Sequence, residues 1–310
     1  MKKVGIVTSC YNEEKNVVLL YQRIIKTLST LKDYSYEILY IDNHSTDNTA
    51  SVLRSLAKND KHVKVIINTR NFGRIRSPFY GILQSKGDFV IYMASDLQDP
   101  PSLIPRLIQK WEQGFKVVMG VETGSKENYF FSWMRKTYYH QLQRLSDINL
   151  LDNTTGYGLY DREVIELIRL LNDPYPFFPG LVADLGYETA SVSYKKPRRK
   201  YGITKRNFFS MFDKAMLGFT NHTKVPLRTA TMLGFIAALV STIIGLFYLI
   251  YKLTHWKDFT LGLAPLAVGL FFFSSLQLIF LGVIGEYIGA IYTQVLKRPL
   301  VIERERINFD

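Results

Sequence analysis

The chain has 310 residues, 47% of them hydrophobic, and a formal net charge of +12. Its length fits one soluble domain of roughly 200 residues with a further part attached. The single cysteine, Cys10, excludes an intrachain disulfide and accords with a reducing compartment.

Lys2 and Lys3 precede only the short apolar stretch VGIV, with polar TSCYNEE behind it, so the start does not read as a signal peptide. The segments VGIVTS, EILYID, VKVII, DFVIYM and KVVMG read as strands. Residues 16–31, 46–57, 78–85 and 101–113 read as amphipathic helices between them. Alternation at this spacing predicts an α/β domain with a mostly parallel sheet covered on both faces. Ligands of such sheets sit beyond the carboxyl ends of the strands. Polar residues gather there: Tyr11, Asn12 and Glu13 after the first strand, Asp42 and Asn43 after the second, Ser95, Asp96 and Gln98 after the fourth.

Each group has a plainer reading. Asp42 can accept from a ribose or a base N–H, and Asn43 can pair with polar base atoms, but either can instead cap the helix near Thr46, with Asp47 competing. Asp99, before Pro100 and Pro101, reads as the cap of the helix that opens there. No G-x-G-x-x-G and no G-x-x-x-x-G-K-[ST] is present, which argues against a dinucleotide oxidoreductase or a P-loop enzyme.

Residues 229–251 and 261–285 carry no formal charge over 23 and 25 positions. Each exceeds the roughly 20 residues that cross a bilayer core, so they are expected to form a transmembrane hairpin. Lys and Arg flank the pair on both outer sides, which places both termini in the cytoplasm and the short connection outside. The expected division is a cytoplasmic domain over 1–205, a juxtamembrane interfacial segment over 206–228, spans at 229–251 and 261–285 joined by an extracytoplasmic loop at 252–260, and a cytoplasmic juxtamembrane tail over 286–310. Seven of the twelve residues from Lys195 to Arg206 are basic. Just before a span, such a run suits anionic lipid headgroups better than nucleic acid.

CYNEEKN (10–16), IDNHSTDNT (41–49), TRNFG (69–73), SDLQDPP (95–101) and R-x-x-G-x-T-K from Arg199 to Lys205 occur in that order. Together with the terminal hairpin, they resemble the family-2, GT-A-fold polyisoprenyl-phosphate glycosyltransferases, which include bactoprenol glucosyltransferases and dolichol-phosphate mannose synthases. The resemblance implies a GT-A (Rossmann-like) domain with interfacial helices and a C-terminal two-helix hairpin. It implies inverting transfer of a hexose from a nucleotide diphosphate sugar, with UDP-hexose the first expectation, to undecaprenyl or another polyprenyl phosphate at the bacterial inner membrane. The product would serve cell-envelope glycan modification.

By the same resemblance Tyr11, Asn12, Glu13, Asp42, Asn43 and Ser95 surround the nucleotide sugar. Asp96, the catalytic candidate, and Gln98 face a divalent metal, Mg²⁺ or Mn²⁺. Arg199, Thr204 and Lys205 meet the acceptor phosphate. A homo-oligomer, with a tetramer as one form, and a flippase partner are further expectations of this kind. Departures are visible: Ala94 stands where Asp-x-Asp has its first carboxylate, Gly156 where the family has an acceptor-side Asp, and Glu122 where an Arg is usual. A phosphate acceptor is largely dianionic near neutral pH, so no protein base is expected, with Asp152, Asp161 and Asp184 the rival candidates. Two alternatives remain at this stage, a catalytically inactive membrane scaffold and a polysaccharide synthase.

Overall fold

The computed structural model describes residues 1–123, 137, 141–145, 154–197, 208–255 and 263–309. The amino-terminal half alternates β1 (Lys2–Cys10), α1 (Glu14–Leu28), β2 (Tyr34–Asp42), α2 (Thr49–Asn59), β3 (Val63–Asn68), α3 (Gly73–Gln84) and β4 (Phe89–Tyr92). A short 3₁₀ turn, Pro101–Leu103, leads into α4 (Ile104–Glu112), followed by β5 (Val117–Thr123), β6 (Thr154–Asp161), α5 (Arg162–Leu171), α6 (Phe178–Asp184) and β7 (Thr189–Lys195). The last elements are α7 (Phe208–His222), α8 (Val225–Thr254), α9 (Leu263–Val295) and β8 (Glu303–Ile307).

The strands form one sheet in the order β7-β5-β6-β4-β1-β2-β3-β8. β4, β1, β2 and β3 run parallel, as do β5 and β7, whereas β6 and β8 run antiparallel to their neighbours. The expected α/β class and mostly parallel sheet are therefore present. Strand side chains alternate between faces, and the core divides accordingly. Ile38 and Tyr40 join Val4, Ile6 and Val65 under α1, and Leu39 and Ile41 join Val7, Ile66 and Val90 under α3 and α5. α1 buries Val17, Leu20, Ile24 and Leu28, a spacing of three and four that keeps them on one helix face. Each such side chain contributes about 1.5 to 3 kcal/mol of burial.

At the end of the sheet away from the strand-end loops, Glu37 is buried with two lysines. Its carboxylate accepts from Lys64 Nζ at 2.9 Å and Ser85 Oγ at 2.8 Å and pairs with Lys3 Nζ at 2.7 Å. Burial opposes its ionisation, but these hydrogen bonds and one from the Lys86 N–H outweigh it and bring the group down to about 2.

α3 begins at Gly73, ahead of the expected 78, because Pro78 sits inside the helix. α8 and α9 are long, apolar and unburied, with Phe235 73% and Phe271 70% exposed. At 1.5 Å per residue, the 30 residues of α8 extend about 45 Å. Length and composition suit a membrane hairpin. The hydroxyl of Tyr287 in α9 donates to the Thr223 carbonyl at 2.7 Å, tying the α7–α8 turn to the second long helix.

The expected division gave residues 286–310 to a tail. In the structure α9 continues to Val295 and Glu303–Ile307 enters the sheet as β8 beside β3. Arg54 grips Glu305 bidentately at 2.6 to 3.1 Å, and Asn308 Nδ2 donates to the Ala57 and Val63 carbonyls. Strand ERERI alternates acidic and basic residues, half-buried and exposed in turn, and pairs an edge of β3 that would otherwise be open.

Candidate active site

Because β4, β1 and β2 are adjacent and parallel, the loops that follow them lie side by side at one end of the sheet. Cys10 and Asp42 are in register, and the Asn43 N–H donates to the Cys10 carbonyl at 2.9 Å. Burial pushes the Cys10 thiol well up, so it is an inert core group.

Most polar groups singled out in the sequence turn out to build this platform. Asn12 has φ +57, a left-handed backbone that Asn tolerates. Its N–H donates to Ser45 Oγ at 2.9 Å and its Oδ1 accepts from the Thr46 N–H at 2.8 Å, fastening the β1 and β2 loops together. Glu13 is buried, and its Oε2 accepts from Asn16 Nδ2 at 2.5 Å. Asp42, 1% exposed, accepts from the N–H and hydroxyl of Ser45. Burial raises its carboxyl above the usual range, with the Ser45 donors pulling the other way. The cap position of α2 falls on Asn48, without a side-chain bond, and Asp47 before it accepts from the Thr49 N–H at 3.0 Å.

Asn43 requires a correction. Its Nδ2 donates to Asn71 Oδ1 at 2.8 Å and the Gly73 carbonyl at 3.0 Å. Its Oδ1 accepts from the Phe72 N–H at 2.8 Å and Asn68 Nδ2 at 3.2 Å. Both amide N–H groups and both lone pairs are used, so Asn43 holds the β3–α3 loop and has no capacity left for a nucleotide. Ser95 is similarly committed: 5% exposed, its hydroxyl donates to the Ser9 carbonyl at 2.8 Å.

The β4 loop is where groups remain open. Leu97 is buried with φ +63, a conformation that bulky residues rarely hold outside functional segments. With Leu97 anchored inward, its neighbours Asp96 and Gln98 are half-exposed on the strand-end face. Among the described residues Asp96 accepts one hydrogen bond, from the Gln98 N–H at 3.2 Å, and pairs with no cation. Tyr11 is also half-buried at this end.

Asp99 is not the helix cap expected from Asp-Pro-Pro. The cap position falls on Pro100, without a side-chain bond to the 3₁₀ turn. Asp99 is 4% exposed, and accepts from the Ala94 N–H at 2.9 Å and from the Tyr194 hydroxyl at 3.0 Å. Burial raises it to about 6 against the pull of these two bonds. Three further tyrosines stand beneath the loop. Tyr157 donates to the Pro100 carbonyl at 2.7 Å, Tyr160 to the Gly156 carbonyl at 3.1 Å, and Tyr92 lies 3.5 Å from Ser9 Oγ. Burial lifts Tyr92 to about 12, so it stays protonated. Sequence reading missed Tyr194, although the alternation in TASVSYK marks it as an inward position of β7.

Glu13, Asp42, Asp47, Asp96 and Asp99 bring acidic charge to this end, and Arg70, Arg74 and Arg76 follow the adjacent strand β3. Lys196 pairs with Glu122 at 3.3 Å, side chains 19% and 11% exposed. No group of three His, Cys, Asp or Glu positioned to hold a metal occurs among the described residues. One open carboxylate beside a carboxamide nonetheless fits a hard cation that takes most of its ligands from water and a diphosphate.

The rival bases fare differently. Asp161 is fully engaged: it accepts from Trp111 Nε1 at 2.6 Å and from the Glu163 N–H at 2.9 Å, capping α5. It pairs in register with Phe89 at the start of β4, away from the Asp96 end. Asp184 ends α6, and Asp152 lies outside the described residues. Gly156 has φ +88, which strains any side chain placed there. Arg199, Thr204 and Lys205 also lie outside the described residues.

Residues 5–169 match the family model described as glycosyl transferase family 2. The chain is 34% identical to an uncharacterized glycosyltransferase of Synechocystis sp., over 97% of this chain and 94% of that protein. It is 33% identical to the SfII prophage-derived bactoprenol glucosyl transferase of Shigella flexneri, over 97% of each. A mannosyltransferase of Pyrobaculum calidifontis, solved with GDP-Man and Mn²⁺, aligns over 96% of this chain and 88% of its own with 15% identity and a TM-score of 0.49. With a family model over more than half its length and relatives spanning nearly all of it, the chain is a glycosyltransferase and belongs to glycosyl transferase family 2.

Proposed function

We propose that this enzyme transfers a hexose, with inversion, from a nucleotide diphosphate sugar to a polyprenyl phosphate at the cytoplasmic face of a bacterial inner membrane. The observation that carries the reading is the union of an open Asp96 at the strand ends with two apolar helices inserted between β7 and β8 of the same sheet. A chain that leaves the sheet and returns to it crosses a bilayer an even number of times. That supports a hairpin with both termini on the catalytic side, in agreement with the flanking Lys and Arg. The full-length likeness to proteins named bactoprenol glucosyl transferase supports the acceptor class.

In this reading Tyr11, Glu13 and Asp42 border the nucleoside, while Asn12, Asn43 and Ser95 hold the loops in place. Asp96 and Gln98 hold the divalent cation, Mg²⁺ or Mn²⁺, which offsets charge on the departing diphosphate when bound. Arg199, Thr204 and Lys205 would meet the acceptor phosphate, for which guanidinium and ammonium groups are suited. The protein aligns the phosphate oxygen with the anomeric carbon and takes no proton, since a dianionic phosphate is already a competent nucleophile. The commitment of Asp161 to α5 and Trp111 supports this base-free scheme.

The test is incubation of the full-length enzyme with undecaprenyl phosphate and labelled UDP-glucose, UDP-galactose, UDP-N-acetylglucosamine or GDP-mannose. A single-sugar lipid, stable to alkali and labile to mild acid, is expected with one donor. A polymer would indicate a synthase. No labelled lipid from any nucleotide sugar would overturn the reading.

A further inference from the structure

The loop that carries Asp96 is not held by its own strand alone. Asp99 closes it by accepting from the Ala94 N–H at 2.9 Å, and the second oxygen of Asp99 is fixed by the Tyr194 hydroxyl, 95 residues further along, at 3.0 Å. The Tyr194 ring meets Tyr157 edge-on at 5.6 Å, and Tyr157 in turn donates to the Pro100 carbonyl immediately after Asp99. The Asp99–Pro100 end of the loop is thereby tied to side chains of β6 and β7, and the Ala94 end is tied to it through Asp99.

β7 is itself anchored at this point. Thr123 Oγ1 donates to the Tyr194 carbonyl at 3.1 Å, and Lys196, two residues on, is paired with Glu122. The chain then enters the basic run that ends at Arg206. A buried carboxylate with two donors on a strained turn is a rigid brace, because losing either donor leaves a desolvated oxygen.

We propose that Tyr194 is a positioning residue for the transfer reaction, which through Asp99 fixes the Ala94–Asp99 turn and so sets the Asp96 carboxylate for the metal and diphosphate. The inference rests on the glycosyl-transfer reading and adds to it a tie between the donor loop and the strand that leads to the basic run. Tyr194 touches no reacting atom. Its hydroxyl acts through Asp99.

The experiment uses the full-length protein in detergent, comparing wild type, Tyr194→Phe, Asp99→Asn and the double variant. UDP binding is titrated calorimetrically with and without Mn²⁺, and transfer to undecaprenyl phosphate is assayed with the active donor. Phe keeps the ring and its packing but leaves one oxygen of buried Asp99 without its donor, so the melting temperature of Tyr194→Phe should fall by about 2 to 12 °C with the protein still folded at the assay temperature. The gain in UDP affinity on adding Mn²⁺ and the kcat should each fall about tenfold or more, the usual cost of removing an outer support of a metal site. The KM for undecaprenyl phosphate should hold. The double variant should lose no more than the worse single variant, as expected for residues acting as a unit.

An unchanged Mn²⁺ increment and kcat in Tyr194→Phe would overturn the inference while leaving the activity standing. So would an equal loss of UDP affinity with and without Mn²⁺, which marks general damage. A wild-type protein that transfers no sugar would instead refute the reading beneath it.

Discussion

Asn43→Ala separates a scaffold role from a ligand role more sharply than any other substitution at the strand ends. The side chain makes four hydrogen bonds, and truncation strands two buried donors, the Phe72 N–H and Asn68 Nδ2. Asn71 and Gly73 are exposed, so water can replace their lost bonds. At about 1 to 3 kcal/mol for each buried donor left unpaired, the expected loss of stability is about 2 to 6 kcal/mol. For a domain of this size each kcal/mol moves Tm by about 2 to 4 °C, which gives a fall of about 4 to 24 °C. Thermal unfolding of the full-length protein in detergent, followed by tryptophan fluorescence or light scattering, reads this directly. Asn43→Asp should also lower Tm, because it turns a carboxylate towards the Asn71 carboxamide oxygen and the Gly73 carbonyl. A melting temperature unchanged in Asn43→Ala, combined with a raised KM for the nucleotide sugar, would refute the scaffold assignment.

Asp96→Asn should behave in the opposite way, losing about a hundredfold or more of transfer activity with Tm unaltered. Most activity retained, or full activity in excess chelator, would remove the metal from the scheme. Glu37 is held down at about 2 from 4.5, so the stability it contributes is fully present above pH 4.5 and is lost as pH falls through 2. Acid unfolding of Glu37→Gln should accordingly show a shallower pH dependence between those limits, and an unchanged slope would contradict the sign. Asp161→Asn should lower Tm by weakening the Trp111 and α5 contacts, yet leave the acidic limb of kcat/KM in place. Disappearance of that limb with normal substrate binding would make Asp161 a base.

The first five strands and four helices were legible because each carries its own period, and their ends shifted by only a few residues. α3 starts five residues ahead of the expected 78, with Pro78, a residue type favoured in a helix's first turn, in its interior. β8 was not legible at all: ERERI follows a long apolar helix and reads as a charged tail, and its distant partner β3 makes it a strand. The same distinction explains the site. Asp96 and Gln98 stood out as residue types at a strand end, and the structure leaves them open. Asn43 and Asp99 stood out equally, but their roles depend on Asn71 and Tyr194, which are 28 and 95 residues away. A carboxylate that awaits a ligand and one that has already found its partner look alike until the chain is folded.

The position of β8 also imposes an order on biogenesis. Val63 and Asn308, joined by a side-chain hydrogen bond, are 245 residues apart in the chain. At ribosomal rates of about 5 to 20 residues per second, the edge of β3 waits roughly 12 to 50 s for its partner strand. Both apolar helices emerge during that interval, before the sheet is finished. Until then the nascent domain presents an open edge able to recruit foreign strands. Where the hairpin enters a bilayer as proposed, its insertion precedes completion of the sheet, and a ribosome that stalls before Glu303 leaves behind a domain with an unpaired edge.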